Sequence, residues 1–181
     1  MRMVLAAVDF GFWRLILIVL CALAFSPPPC LAKSSGVQPL FKIEQSVSEN
    51  FVQYDAQLAP GGTLNPREPV VAYWIMRAED GRKESLNFLE VTLAYGFETW
   101  WQADGDGVLV ELVSSPQRRV KVYKVNGSYR AAMLIDGRLA FLERIYVKAV
   151  NGGILPKVEY LELYGHDART GGSLYEKVRL H

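Results

Sequence analysis

With 181 residues, half of them hydrophobic and 22% charged, the chain carries enough apolar side chain for one folded core and too much for a disordered polymer. Its 20 basic and 19 acidic side chains give a formal net charge of +1, which excludes a bulk electrostatic pull toward nucleic acid. Both cysteines, Cys21 and Cys30, fall near the start, so no disulfide scaffold, thiolate metal site or cysteine nucleophile is available to the remainder.

The first 32 residues read as a secretion signal. Arg2 and Arg14 outweigh Asp9, residues 15–25 are uncharged and apolar, and Cys30-Leu31-Ala32 places small side chains one and three positions before a cut ahead of Lys33. An uncleaved inner-membrane anchor over residues 10–25 is the competing expectation. It is opposed by the shortness of the apolar run and by Pro27-Pro28-Pro29, which stop a helix. Cleavage leaves 149 residues with 18 charges of each sign, located in the periplasm or outside the cell. Residues 33–39 read as a flexible linker and residues 40–181 as a single domain.

Along that domain, strands are expected at residues 40–44 and 51–54, followed by the continuous apolar run Val70-Val71-Ala72-Tyr73-Trp74-Ile75-Met76, which suits a strand covered on both faces. Leu86, Leu89 and Leu93 fall at helical spacing. They predict one short helix over residues 86–95, capped by Ser85, ended by Gly96 in a left-handed conformation and packed on that strand. Further strands are expected at 97–102, 108–113, 120–125, 128–135, 139–150, 157–164 and 174–180. Asn126-Gly127 and Asp136-Gly137 are type I′ hairpin turns, making 120–125, 128–135 and 139–150 sequential neighbours. Alternation supports this: Val120 and Val122 point one way and Lys121 the other. The fold class is therefore mainly β, an antiparallel meander of about 8–10 strands closing into a barrel-like or two-sheet domain. An outer-membrane barrel is opposed by Arg130, Glu143, Arg144 and Lys148, which interrupt both faces.

These segments carry a set of motifs: Phe41-Lys42-Ile43-Glu44 with Ser46, Asn50 and Val52 with Tyr54-Asp55, Pro69-Val70 leading to Tyr73-Trp74-Ile75, and Leu93-Ala94-Tyr95-Gly96. Val158-Glu159-Tyr160, Leu163-Tyr164-Gly165, Asp167, Thr170-Gly171 and Glu176-Lys177 complete it. On these residues the chain resembles the exported bacterial family of domain of unknown function 4833. It differs from such proteins at Gln45, where they carry a basic residue, and at Val47-Ser48-Glu49, where they are more polar. The resemblance implies an exported domain and assigns no activity.

Chemistry-bearing residues are few. His166-Asp167 sets an imidazole beside a carboxylate, the arrangement of a general base or metal ligand, but neighbours on a strand face opposite ways, the other histidine is the terminal His181, and no cysteine or nearby histidine completes a metal set. The competing expectation is a loop from Tyr164 to Gly172 with Asp167 and Thr170 bonding to backbone. Asp104-Gly105-Asp106-Gly107 lacks the spacing of a calcium loop and reads as a hairpin, and no serine stands in a Gly-x-Ser-x-Gly turn. Arg118, Arg119, Lys121, Lys124 and Arg130 read as a solvated face. Trp100-Trp101, with one indole expected in the core and one outside, joins Trp74 as the aromatic part of a ligand pocket.

Trp74, Trp100, Trp101, His166 and Asp167 are thus the candidate binding residues, with no catalytic residue, metal or cofactor assigned. The expected function is a non-enzymatic, exported envelope domain that binds an apolar or glycan ligand, with an envelope lipid or glycan as partner and membrane contact only through an uncleaved leader. The alternatives are an envelope hydrolase or isomerase using His166 and Asp167, and an assembly protein acting through an exposed strand edge.

Overall fold

The computed structural model describes residues 36–150 and 157–179, so the leader and the expected cut after Ala32 lie outside the described residues. No described helix is long and apolar enough to cross a membrane. Among the described residues eleven strands form one sheet: β1 (Gly36–Gln45), β2 (Ser48–Leu58), β3 (Val70–Ile75), β4 (Lys83–Ser85), β5 (Phe97–Trp101), β6 (Gly107–Leu112), β7 (Val120–Val125), β8 (Ser128–Ile135), β9 (Arg138–Val150), β10 (Lys157–Asp167) and β11 (Ser173–Arg179). The mainly β expectation holds, and β1 begins inside the segment expected to be a linker.

The hairpins form where the turn residues place them. Asn126 and Gly127 take φ of 50° and 84°, and Asp136 and Gly137 take 51° and 71°, the positive values that a type I′ turn needs at both central positions. β7, β8 and β9 are consequently successive antiparallel neighbours. Inward positions alternate as expected, with Val108 opposite Val122, Val110 opposite Val120, and all four fully buried.

The sheet runs β4-β3-β2-β1-β9-β8-β7-β6-β5, with β10 and β11 branching from β9, and its two ends, β4 and β5, do not meet. The result is a curled half-barrel whose main path has nine strands, in keeping with the barrel-like expectation and open between β4 and β5. The meander is also broken by one parallel pairing between β1 and β9. β9 manages three partners by changing neighbour along its length. Residues 138–141 pair with β8, residues 144–147 pair with β1, and β10 occupies the other edge from residue 140 to residue 150.

Between the two segments lies a bulge. Tyr164 pairs with Arg144 and Gly165 with Leu142, which leaves Glu143 as an extra residue on β9. The extra residue shifts the inward set from even numbers, Ala140 and Leu142, to odd ones, Ile145 and Ala149, and all four are buried. Gly165 is required opposite this kink, because a Cβ there would stand 2.4 Å from the Phe141 carbonyl oxygen. Where β1 and β8 diverge from β9, Gln38 spans the gap with its side-chain amide, donating to the Tyr129 carbonyl at 2.7 Å and accepting from the Tyr129 N–H at 3.0 Å. That side chain replaces one rung of the missing ladder.

The helix expected over residues 86–95 shrinks to α1 (Phe88–Glu90) and a π-turn (Val91–Tyr95). Asn87, not Ser85, caps it: Asn87 Oδ1 accepts from the Glu90 N–H at 3.0 Å while Glu90 Oε2 accepts from the Asn87 N–H at 2.8 Å. The β-branched pair Val91-Thr92 disfavours further regular turns, and the Thr92 hydroxyl donates to the Phe88 carbonyl at 2.8 Å. Gly96 is extended, not left-handed, and is needed because a Cβ would lie 1.8 Å from the Val91 carbonyl oxygen. Leu89 and Leu93, expected against β3, are 61% and 54% exposed. The apolar β3 is accordingly half-buried beyond Val70.

Replacing Gly165 by alanine should destabilise the domain by about 2–3 kcal/mol, since the clash is with backbone that cannot move without breaking the bulge. Urea unfolding measures it, and a loss within about 0.5 kcal/mol of zero would contradict the reading of the bulge.

Candidate functional site

The curl of the sheet leaves a hollow of about 430 Å³ on its concave side, within the range of small-molecule sites. Its floor is aliphatic and comes from six strands: Ile43 of β1, Leu112 of β6, Val120 of β7, Met133 of β8, Ile145 of β9 and Leu163 of β10. Trp74 and Tyr95 form one wall, their rings edge to face at 5.2 Å, and Leu89 and Leu93 form a lip over it. The lip is attached to the core by the Tyr54 hydroxyl, which donates to the Tyr95 carbonyl at 2.6 Å. Burial pushes the Tyr54 phenol upward and the Tyr95 phenol to about 12, so both stay neutral donors.

Polar groups enter the hollow at few places. The Tyr95 hydroxyl donates to Gln45 Oε1 at 3.3 Å, and Ser114, Ser115 and Arg118 line it from the loop between β6 and β7. Arg118 reaches across to β11, where Nη2 and Nη1 donate to the two carboxylate oxygens of Glu176 at 2.5 and 3.1 Å. Glu176 also accepts from the Asp136 N–H at 2.9 Å. The Arg118 hydrogen bonds hold the Glu176 carboxyl below the usual carboxylate range.

The sequence-derived candidates separate in space. Trp74 lines the hollow. Trp100 and Trp101 do not divide into core and surface: they are 42% and 45% exposed, because β5 ends the sheet and has β6 as its one partner. Trp100 lies on the convex side beneath the Arg119 guanidinium at 6.0 Å, and Trp101 lines a second cleft with Gln102 and Tyr123.

His166 and Asp167 are in β10, so the expected loop is confined to the residues after Asp167. His166 Nε2 meets Glu143 Oε1, the bulged residue, at 3.0 Å, in a cleft of about 710 Å³ where β1 and β8 part. Asp167 is 8% exposed, and its Oδ1 accepts from the Arg169 and Thr170 N–H groups at 2.9 Å each. Those backbone donors hold its carboxyl below the ordinary range, so it fixes the turn as the loop reading expected and does not orient His166. This cleft is larger than the hollow, yet its walls mix Lys42, Arg130 and Glu143 with apolar side chains, whereas the hollow gathers side chains from six strands onto one apolar surface.

The basic residues are dispersed, Arg118 to Glu176, Arg119 to Glu111 at 2.9 Å and Lys124 to the Gly62 carbonyl at 3.2 Å. Asp104 to Asp106 form the turn between β5 and β6. One cluster escaped the sequence reading. Asp55, 2% exposed, accepts from the Tyr73 hydroxyl and from Gln53 Nε2 at 3.0 Å, while Lys83 Nζ donates to the Tyr73 oxygen at 2.9 Å. It fastens the three-residue β4 to the sheet. Its signal was an acid set inside the buried run Tyr54-Asp55-Ala56.

The sequence profile described as Domain of unknown function (DUF4833) matches residues 41–177, and the chain belongs to that family. No curated protein and no solved structure matches it.

The Glu176 interaction predicts a pH dependence. Its folded-state pKa lies below the unfolded value of about 4.3, so its contribution is complete above that pH and is lost as pH falls through the folded value. Between about pH 5 and 3 the urea midpoint should fall more steeply for the wild type than for Glu176→Gln. Parallel curves for the two would show that the Arg118 contact adds nothing.

Proposed function

We propose that this member of the family is an exported, non-enzymatic binding domain whose concave hollow takes an apolar ligand from the cell envelope. One observation supports it above the others: a continuous aliphatic floor drawn from six strands, with the exposed lip residues Leu89 and Leu93 beside it. Exposed apolar surface of this kind costs free energy in water unless something covers it. Between the two ligand classes expected from the sequence, the lining favours the apolar one, since a glycan needs polar partners for its hydroxyls and the floor offers none. Export is supported by the charge and length of the apolar segment before Lys33. A hydrolase built on His166 and Asp167 is the weaker reading, because Asp167 is committed to its turn and Glu143, 59% exposed, is the carboxylate at the imidazole.

The test fills the hollow. Val147→Trp places an indole over the floor at a half-buried position and should weaken binding of a fluorescent fatty-acyl probe by about tenfold or more, with the melting temperature little changed. Saturable binding by the wild type, followed through quenching of tryptophan emission, is the expected starting point. Absence of binding, or binding unaffected by the filled hollow, would refute the proposal.

A further inference from the structure

We infer that the ligand of the hollow is a single-chain amphiphile with an anionic head, its chain on the aliphatic floor and its head at the loop between β6 and β7. The inference rests on the apolar-ligand reading and adds the polarity and placement of the other end. Among the described residues that line the hollow, Arg118 is the one cation. Of the other polar side chains there, Gln45 is engaged with Tyr95 at 3.3 Å and Glu90 with the Asn87 N–H at 2.8 Å. Arg118 is only partly engaged. A guanidinium has five N–H donors and no acceptor, and Glu176 takes two of them, from Nη1 and Nη2.

The remaining donors are open to an acceptor at the mouth of the hollow, and a carboxylate or phosphate oxygen makes the strongest hydrogen bond with them. Glu176 fixes the guanidinium in place, being itself anchored to the Asp136 N–H, so the head meets a preset donor array with little ordering cost. Ser114 and Ser115 add hydroxyls from the same loop, and Leu112 and Val120 on either side of that loop lower the local polarity, which strengthens the charge contact. Glu176 also opposes the head by like charge, and this opposition supplies a diagnostic that a purely structural Arg118 would not reproduce.

The experiment is calorimetric titration of the full-length protein at pH 8 with dodecanoate and with dodecanol, each below its aggregation concentration. Dodecanoate should bind about tenfold more tightly. Arg118→Gln should remove that preference and leave dodecanol binding unchanged. Glu176→Gln, which retains an oxygen for Asp136, should enlarge the preference, and this arm decides the matter if Arg118→Gln fails to fold. Equal affinities in the wild type, a preference that survives Arg118→Gln, or a preference reduced by Glu176→Gln would overturn the head-group assignment while leaving the apolar reading standing. Binding of neither compound would overturn both.

Discussion

The fold depends on one strand having three neighbours. A strand has two edges, so β9 serves β8, β1 and β10 by giving up β8 and taking β1 partway along. The single extra residue at Glu143 makes the exchange feasible, since it bends β9 and resets which side chains face inward. Without that reset, Ile145 and Ala149 would point to solvent and the far half of the sheet would lose its core. The glycine opposite the bend and the Gln38 amide across the fork are the accommodations that such a junction imposes.

The hollow is a product of the same junction. Two arms leave β9 in different directions and curl toward each other, and their ends at β4 and β5 stay apart, so the concave face is enclosed on most sides and open on one. Across the opening the Arg118–Glu176 pair ties the loop after β6 to β11. The pair is half-buried and bidentate, the geometry in which an arginine–carboxylate contact outlasts the screening that weakens open surface pairs.

What the residues disclosed in advance was local. Asn126-Gly127 and Asp136-Gly137 require positive φ at both central positions and so named the hairpins, and the alternation in β7 named its inner face. The parallel pairing of β1 with β9 joins residues about a hundred apart and leaves no local mark, so the residues showed a barrel-like sheet without showing where it stays open. A bulge is likewise silent in composition, and with it went the inner lining of β9. The one short helix was legible from Leu86, Leu89 and Leu93 at helical spacing, whereas its π turn was not, because Val91-Thr92 and the tight approach at Gly96 permit only one α turn. Of the site, Trp74 was legible as a bulky aromatic on an apolar strand; Met133, Ile145 and Leu163 looked like ordinary core until the curl left room above them.

The attachment of the lip sets a hierarchy of motion. Strands around the hollow are held by ladders of backbone bonds, whereas the segment carrying Leu89 and Leu93 is joined to the core chiefly by the Tyr54 hydroxyl, the Trp74 contact with Tyr95 and the link from Val113 to Gly96. A lone hydrogen bond of that type contributes on the order of 1 kcal/mol. Loosening this segment would therefore break few bonds and no strand pairing, whereas the strands beneath it stay held by their ladders.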